Sequence, residues 1–214
     1  MRIPLRELEQ VRMDPGAYLR KKQRSAGSDF YGRSKYAVLK GAALKFHDLK
    51  NDLAGARKYL EEAYAKQFKE QRSLQVNLAK LEKYAAEFGR LGNNVFKVRD
   101  RLILSLPETM AREVSLSAQI PRLDLTKSGY AVWFFAKEPA DLRGELRMPL
   151  IQEAYSKKLG APLNEITVGV YDFASANYES YMFTQREINK ANLELAKLLE
   201  RLASMARPKT LREF

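Results

Sequence analysis

The run Gly129-Tyr-Ala-Val-Trp-Phe-Phe-Ala-Lys137 is apolar at both odd and even positions. A β-strand turns successive side chains to opposite faces, so this run has to be covered on both. Such a strand belongs in the middle of a sheet with a layer packed on each side. Residues 95–106 alternate and are rich in β-formers, and residues 114–125 make a second strand. Thr126-Lys-Ser-Gly129 connects it to the apolar run, and residues 107–111 read as a turn. A helix over 148–159 is closed by Gly160, followed by strands over 165–173 and 178–183. Thr184 with Glu187 forms a capping box for a last amphipathic helix, with Leu193, Leu195, Leu198, Leu199 and Leu202 on its buried side.

The first part of the chain is helical by period. Residues 5–22 read as two short helices broken at Asp14-Pro15-Gly16. Residues 35–91 carry apolar side chains at helical spacing: Leu39, Ala43 and Phe46, then Leu60, Tyr64 and Phe68, then Leu74, Leu78, Leu81, Tyr84 and Phe88. Gly55 divides this stretch and Gly89 and Gly92 end it, which predicts a long helical hairpin over one face of the sheet. The expected fold is α/β (α+β), a central mixed sheet flanked by helices. It is expected as a single domain over 1–214, mainly helical in 1–92, with the sheet and its helices in 93–214.

Lysine and arginine number 38 against 26 acids, a net charge of +12. A surplus of this size points to a polyanionic partner, most often nucleic acid. The absence of cysteine excludes disulfides, zinc–thiolate sites and cysteine-ligated iron–sulfur clusters. The opening Met-Arg-Ile-Pro-Leu-Arg is not a signal peptide, and no apolar run approaches the roughly 20 residues of a membrane span. A cytoplasmic protein with no membrane partner is expected. There is no phosphate-binding glycine loop, no dinucleotide fingerprint and no zinc-protease motif. A serine triad would need the single histidine, His47, and lacks a Gly-x-Ser-x-Gly elbow. Tyr130, Tyr155 and Tyr171 are expected to pack in the core, and His47 to be a packed or solvated side chain and not a ligand.

Three groups of cations are candidates for holding phosphates. Arg20, Lys21, Lys22 and Arg24 form one cluster with Arg33 and Lys35. Lys97, Arg99 and Arg101 alternate along one strand and should share a face. Arg143 and Arg147 are spaced by one helical turn, and Arg122 lies on the strand before the apolar run.

The order of these segments resembles the catalytic core of the RecB/Cas4-like branch of the PD-(D/E)XK nucleases. That branch has a restriction-endonuclease-like core. Its first core strand reads Gly-x-Ile-Asp-Arg-x-Asp; here the run is Ala118-Gln-Ile-Pro-Arg-Leu-Asp124, with Pro121 in the place of the metal ligand. Its next strand reads Val-x-Asp-Tyr-Lys-Thr; here it is Val132-Trp-Phe-Phe-Ala-Lys137, with Phe134 for the carboxylate and Ala136 for the lysine. Asp14-Pro-Gly-Ala-Tyr18 resembles the family's Cys-Pro-x-x-Tyr, without the cysteine. Gly41-Ala-Ala-Leu-Lys-Phe-His47 resembles its Gly-x-x-x-His helix, with Lys45 at the histidine position. Gln152-Glu-Ala-Tyr155 and Val168-Gly-Val-Tyr171 resemble the helix and strand that follow.

The resemblance implies the nuclease frame without its chemistry: no resident metal or other cofactor, and a protein that binds nucleic acid, DNA first, without cutting it. It also implies an accessory place in a larger DNA-processing or anti-phage complex, CRISPR-associated or helicase-linked. Two other readings stay open. One is a magnesium-dependent nuclease with relocated ligands, Asp124 with Glu138 or Glu145 and Lys137. In a regular strand Lys137 points away from the face that Ala136 serves. The other is a protein-only adaptor whose basic surface meets an acidic partner.

Overall fold

The computed structural model describes residues 1–25, 34–104, 106, 114–137 and 142–206, with backbone alone at 23–25 and 206. The turn expected at 107–111, Arg33, Glu138 and the side chain of Arg24 lie outside the described residues. The strands are β1 (Arg2–Pro4), β2 (Asn94–Leu104), β3 (Ser115–Thr126), β4 (Gly129–Ala136), β5 (Ile166–Asp172) and β6 (Asn177–Tyr181). The helices are α1 (Leu8–Met13), α2 (Pro15–Ser25), α3 (Lys35–Asp48), α4 (Leu53–Gln67), α5 (Gln71–Leu91), α6 (Arg147–Leu159) and α7 (Gln185–Ala206). The strands form one mixed sheet in the order β1-β3-β4-β5-β6, with β2 also on β3. β2, β3 and β4 are mutually antiparallel, β5 runs parallel to β4, and β6 returns antiparallel to β5. The short β1 pairs parallel to the start of β3.

The apolar run is central, and both of its faces are covered. Val132 and Phe134 pack into a core shared with α1, α6 and α7, whereas Phe135 joins a second core with α3, α4 and α5. The second core also takes Tyr171 and Phe173 from the end of β5, so the helical part and the sheet share one interior. The turn into β4 needs Gly129: its φ is 133°, and an added Cβ would sit 2.1 Å from the Glu165 carbonyl oxygen.

Local signals place most boundaries. Asp14 accepts from the Ala17 N–H ahead of α2, with Pro15 as the first helical residue. The Thr184 N–H and hydroxyl both donate to Glu187 at the start of α7. Three expectations are corrected. Residues 35–91 form three helices and not a hairpin. The chain breaks at Lys50 and Asn51, which both have positive φ, and at Lys69. Gly55 sits inside the first turn of α4 and divides nothing; Asp52 caps that helix. Leu193 is 59% exposed, because it lies two residues from the buried Ala191 and Leu195 on the opposite side of α7.

Candidate functional site

The strand registers leave a fork in the sheet. β2 pairs along β3 from Leu116 to Leu125, so it holds one whole edge of that strand. On the other edge, β1 pairs with Ser115–Ser117 and β4 with Arg122–Thr126. Residues 118–121 of β3 therefore lie between two strands that have moved apart. Pro121 has no N–H to offer a neighbour. Across from it, the β2 ladder steps from Val98–Arg122 to Asp100–Ile120, and Arg99 between them has φ 56°. This irregularity changes which face β3 shows. Leu116 and Ile120 face the α6–α7 core, and so does Leu123, an odd step further on. Arg122 and Asp124 turn to the α3–α5 side.

A recess of about 580 Å³ occupies the fork. Pro121, Phe134 and Phe135 line it, together with five cations: Arg2, Arg6, Lys40, Arg101 and Arg147. Among the described residues, no carboxylate lines it. Arg2 Nε donates to Ser117 Oγ at 3.0 Å. The Arg147 guanidinium lies over the Phe134 ring, 5.4 Å from its centroid, and pairs with Glu145. Lys40 comes from the middle of α3, a helix capped by Ser34, whose hydroxyl accepts from the Ala37 N–H. Next to it, Gly41 lets α4 approach: an added Cβ would meet the Tyr59 hydroxyl at 2.9 Å. Lys40 is half-buried. Burial pushes its pKa down, and the positive charge of Arg6 pushes it the same way. A desolvated ammonium facing like charges is stabilised by an anion that enters the recess.

Pro121 and Phe134 stand where the resembling nucleases keep metal ligands. Neither side chain has an oxygen or nitrogen to give, and five cations around them repel a sixth. A magnesium ion does not fit this recess. The relocated set fares no better. Asp124 is fully buried towards α3–α5, Glu145 sits beside Arg147 at the start of α6 on the other face, and Lys137 lines a different recess. Among the described residues, no group of three or more His, Cys, Asp or Glu side chains could hold a metal ion.

Arg122 was a candidate phosphate ligand, and its burial removes it from that role. Its side chain is 0% exposed. The guanidinium packs among the rings of Phe88, Tyr178, Trp133 and Tyr84, with centroids 4.8–5.7 Å away. Nε lies 2.9 Å from Asp124 Oδ1, close enough for an ion pair but off-line for a hydrogen bond. Nη1 donates to the hydroxyls of Tyr84 and Tyr178. Burial pushes the Asp124 pKa up, and Arg122 and Asn93 push it back. His47 closes the cluster, with Nε2 on the Tyr84 hydroxyl and Nδ1 on Asn51 Oδ1. Burial, and then the charge of Arg122, lower the His47 pKa to about 3, so the ring is neutral. The cluster ties α3 and α5 to the sheet.

No protein-family model matches this sequence, and no curated protein matches it.

The remaining candidates are scattered. Lys97 and Arg99 do not share a face: Lys97 pairs with Asp100 beside α6, and Arg99 pairs with Asp48 at the end of α3. The positive φ of Arg99 breaks the alternation that would have aligned them, and only Arg101 reaches the fork. Arg143 lies in the turn before α6 and not on the helix with Arg147. Lys21 and Lys22 are exposed on α2, with Lys22 near Glu7 and over the Tyr18 ring. Lys35, on α3, pairs with Glu70 of α5. Gln152 and Tyr155 are structural ties: Gln152 brackets Phe183 through its N–H and carbonyl, and the Tyr155 hydroxyl donates to Asp100.

Sequence reasoning missed Arg2, Arg6 and Lys40. Lys40 left a signal: it is the lone charge in Tyr36-Ala-Val-Leu-Lys-Gly-Ala-Ala-Leu44, where solvation alone gives it no purpose. Arg2 and Arg6 left none, because the three-residue strand and the three-residue 3-10 turn that hold them are too short for a readable period.

Proposed function

We propose that this protein binds nucleic acid, DNA first, through its phosphate backbone and does not cut it. The observation that carries this reading is the recess at the β3–β4 fork. Among the described residues it is ringed by five cations and by no carboxylate, and it holds a half-buried lysine. Phosphate oxygens satisfy guanidinium forks and neutralise Lys40, and the exposed parts of Phe134 and Phe135 offer surfaces to sugar or base. The net charge of +12 draws a polyanion towards it. The resemblance to the RecB/Cas4-like nucleases adds the place: an accessory subunit of a DNA-processing or anti-phage complex, in which the old substrate groove grips a strand.

The test is a titration with two readouts. Labelled single- and double-stranded DNA and RNA are mixed with the protein across a salt series, with and without magnesium or manganese. Anisotropy reads binding, and a denaturing gel reads strand integrity. Binding should weaken steeply with salt, at a log–log slope of about 0.7–0.9 per phosphate contacted, and the strands should stay intact. No binding to any of the four at low salt would replace this reading with that of a protein-only adaptor. Metal-dependent cleavage would replace it with that of a nuclease.

A further inference from the structure

A second recess opens one turn nearer the start of α3, with a volume of about 280 Å³. Its lining includes Lys35, Arg72, Lys80 and Lys137, and among the described residues no carboxylate. Lys35 is tied to Glu70 and Ser73, which fixes it at the α3–α5 junction. Tyr36 also lines the recess, and its hydroxyl is buried with no hydrogen-bond partner among the described residues. A buried hydroxyl left unpaired beside several cations calls for a ligand that accepts hydrogen bonds.

The two recesses are neighbours. Phe135 lines the first and Phe173 the second, and their ring centroids are 5.4 Å apart. On α3, Lys40 serves the first recess, and Leu39 and Tyr36 serve the second. Tyr36 to Lys40 is about 6 Å along a helix, a step that roughly two stacked nucleotides of one strand cover.

Resting on the reading of the fork recess given above, we infer that the second recess is the next phosphate subsite on the same strand. One nucleic-acid strand runs along α3 past Lys40 and towards Lys35. It leaves one phosphate among Arg2, Arg6, Lys40 and Arg147 and another among Arg72, Lys80 and Lys35.

The experiment measures binding of a labelled oligothymidylate of about twelve nucleotides across a salt series. Four proteins are compared: wild type, Lys40→Ala, the pair Arg72→Ala/Lys80→Ala, and the control pair Lys58→Ala/Lys66→Ala. The control removes the same charge from the exposed face of α4. The second-recess pair should weaken binding about tenfold and lower the salt slope by about 0.7, the share of one phosphate, while the control stays within about twofold. Arg72→Glu, at an exposed position, repeats the test without touching Lys80 and should weaken binding at least as much. If the second-recess variants bind like the control while Lys40→Ala still weakens, the second subsite is wrong and the fork recess stands. If wild type does not bind at all, the fork reading fails and takes this one with it.

Discussion

Arg122 and Arg147 lie on the two sides of the same sheet and do opposite things. Arg122 has a carboxylate, two phenol hydroxyls and four aromatic rings around it, and no solvent-exposed surface. Arg147 has one ring beneath it, one acid beside it, and an open recess shared with four other cations. The first arrangement is closed to solvent: the ion pair to Asp124, the two phenol bonds of Nη1 and the four rings all lie inside the protein. The second leaves charge unanswered on one side, and that is what a binding site for anions requires. A cation's worth to function therefore depends on which of its sides the fold leaves without a partner, and net charge alone does not report it.

The largest test of this contrast is Arg122→Met. It strands Asp124 as a buried acid and should cost about 3–5 kcal/mol in urea unfolding, whereas adding Asp124→Leu should recover most of the loss. A neutral Arg122→Met would mean that the cluster does not hold α3 and α5 to the sheet.

The next effect comes from pH. His47 is held down to about 3 in the fold, against about 6.5 when unfolded. Below 6.5 the unfolded chain binds a proton that the native one refuses. Stability therefore falls as the pH drops from 6.5 towards 3, by up to roughly 1.4 kcal/mol per pH unit from this group. His47→Gln loses its bonds at neutral pH but also loses this slope, so its deficit relative to wild type should shrink between pH 7 and 4.5. A constant deficit would show that His47 does not titrate on unfolding in this way.

On the open side, Lys40→Met removes a desolvated charge that faces Arg6. It should leave stability within about 1 kcal/mol of wild type or raise it, while weakening oligonucleotide binding and lowering the salt slope by about 0.7–0.9. Lost stability with unchanged binding would put Lys40 in the closed class with Arg122. The smallest effect is expected at Lys97. It is half exposed, and its partner Asp100 keeps Lys158 and Tyr155. Lys97→Ala should change stability by less than about 1 kcal/mol and leave binding unaltered. A clear loss of binding would restore the expectation of a basic face along β2.

Much of the architecture was legible because its causes are local. The apolar run of β4 announced a covered central strand, Asp14-Pro15 and Thr184 with Glu187 announced helix starts, and Gly129 announced a turn that nothing but glycine fits. The break between α3 and α4 was misplaced at Gly55. The residues that turn the chain, Lys50 and Asn51, adopt positive φ without a glycine to advertise it. Of the candidate cations, Arg101, Arg147 and Lys35 lie at recesses, while Arg122 and Lys97 pair with the buried Asp124 and Asp100 and Arg99 with Asp48 at the surface. Their spacing in the chain was read correctly, but their faces were not, because Arg99 and Pro121 shift the alternation where they meet.

Side-chain period, capping and turn chemistry act over a few residues, so they can be read along the chain: a buried central strand, helices before and after it, and a basic total charge. The fork between β1 and β4, the closing of Arg122 by residues from α3, α5 and β6, and the gathering of Arg2, Arg6, Lys40, Arg101 and Arg147 join positions far apart in sequence. Register and packing set those meetings. An arginine has the same chemistry in both places, and its surroundings decide whether its charge is spent inside the protein or left for a ligand.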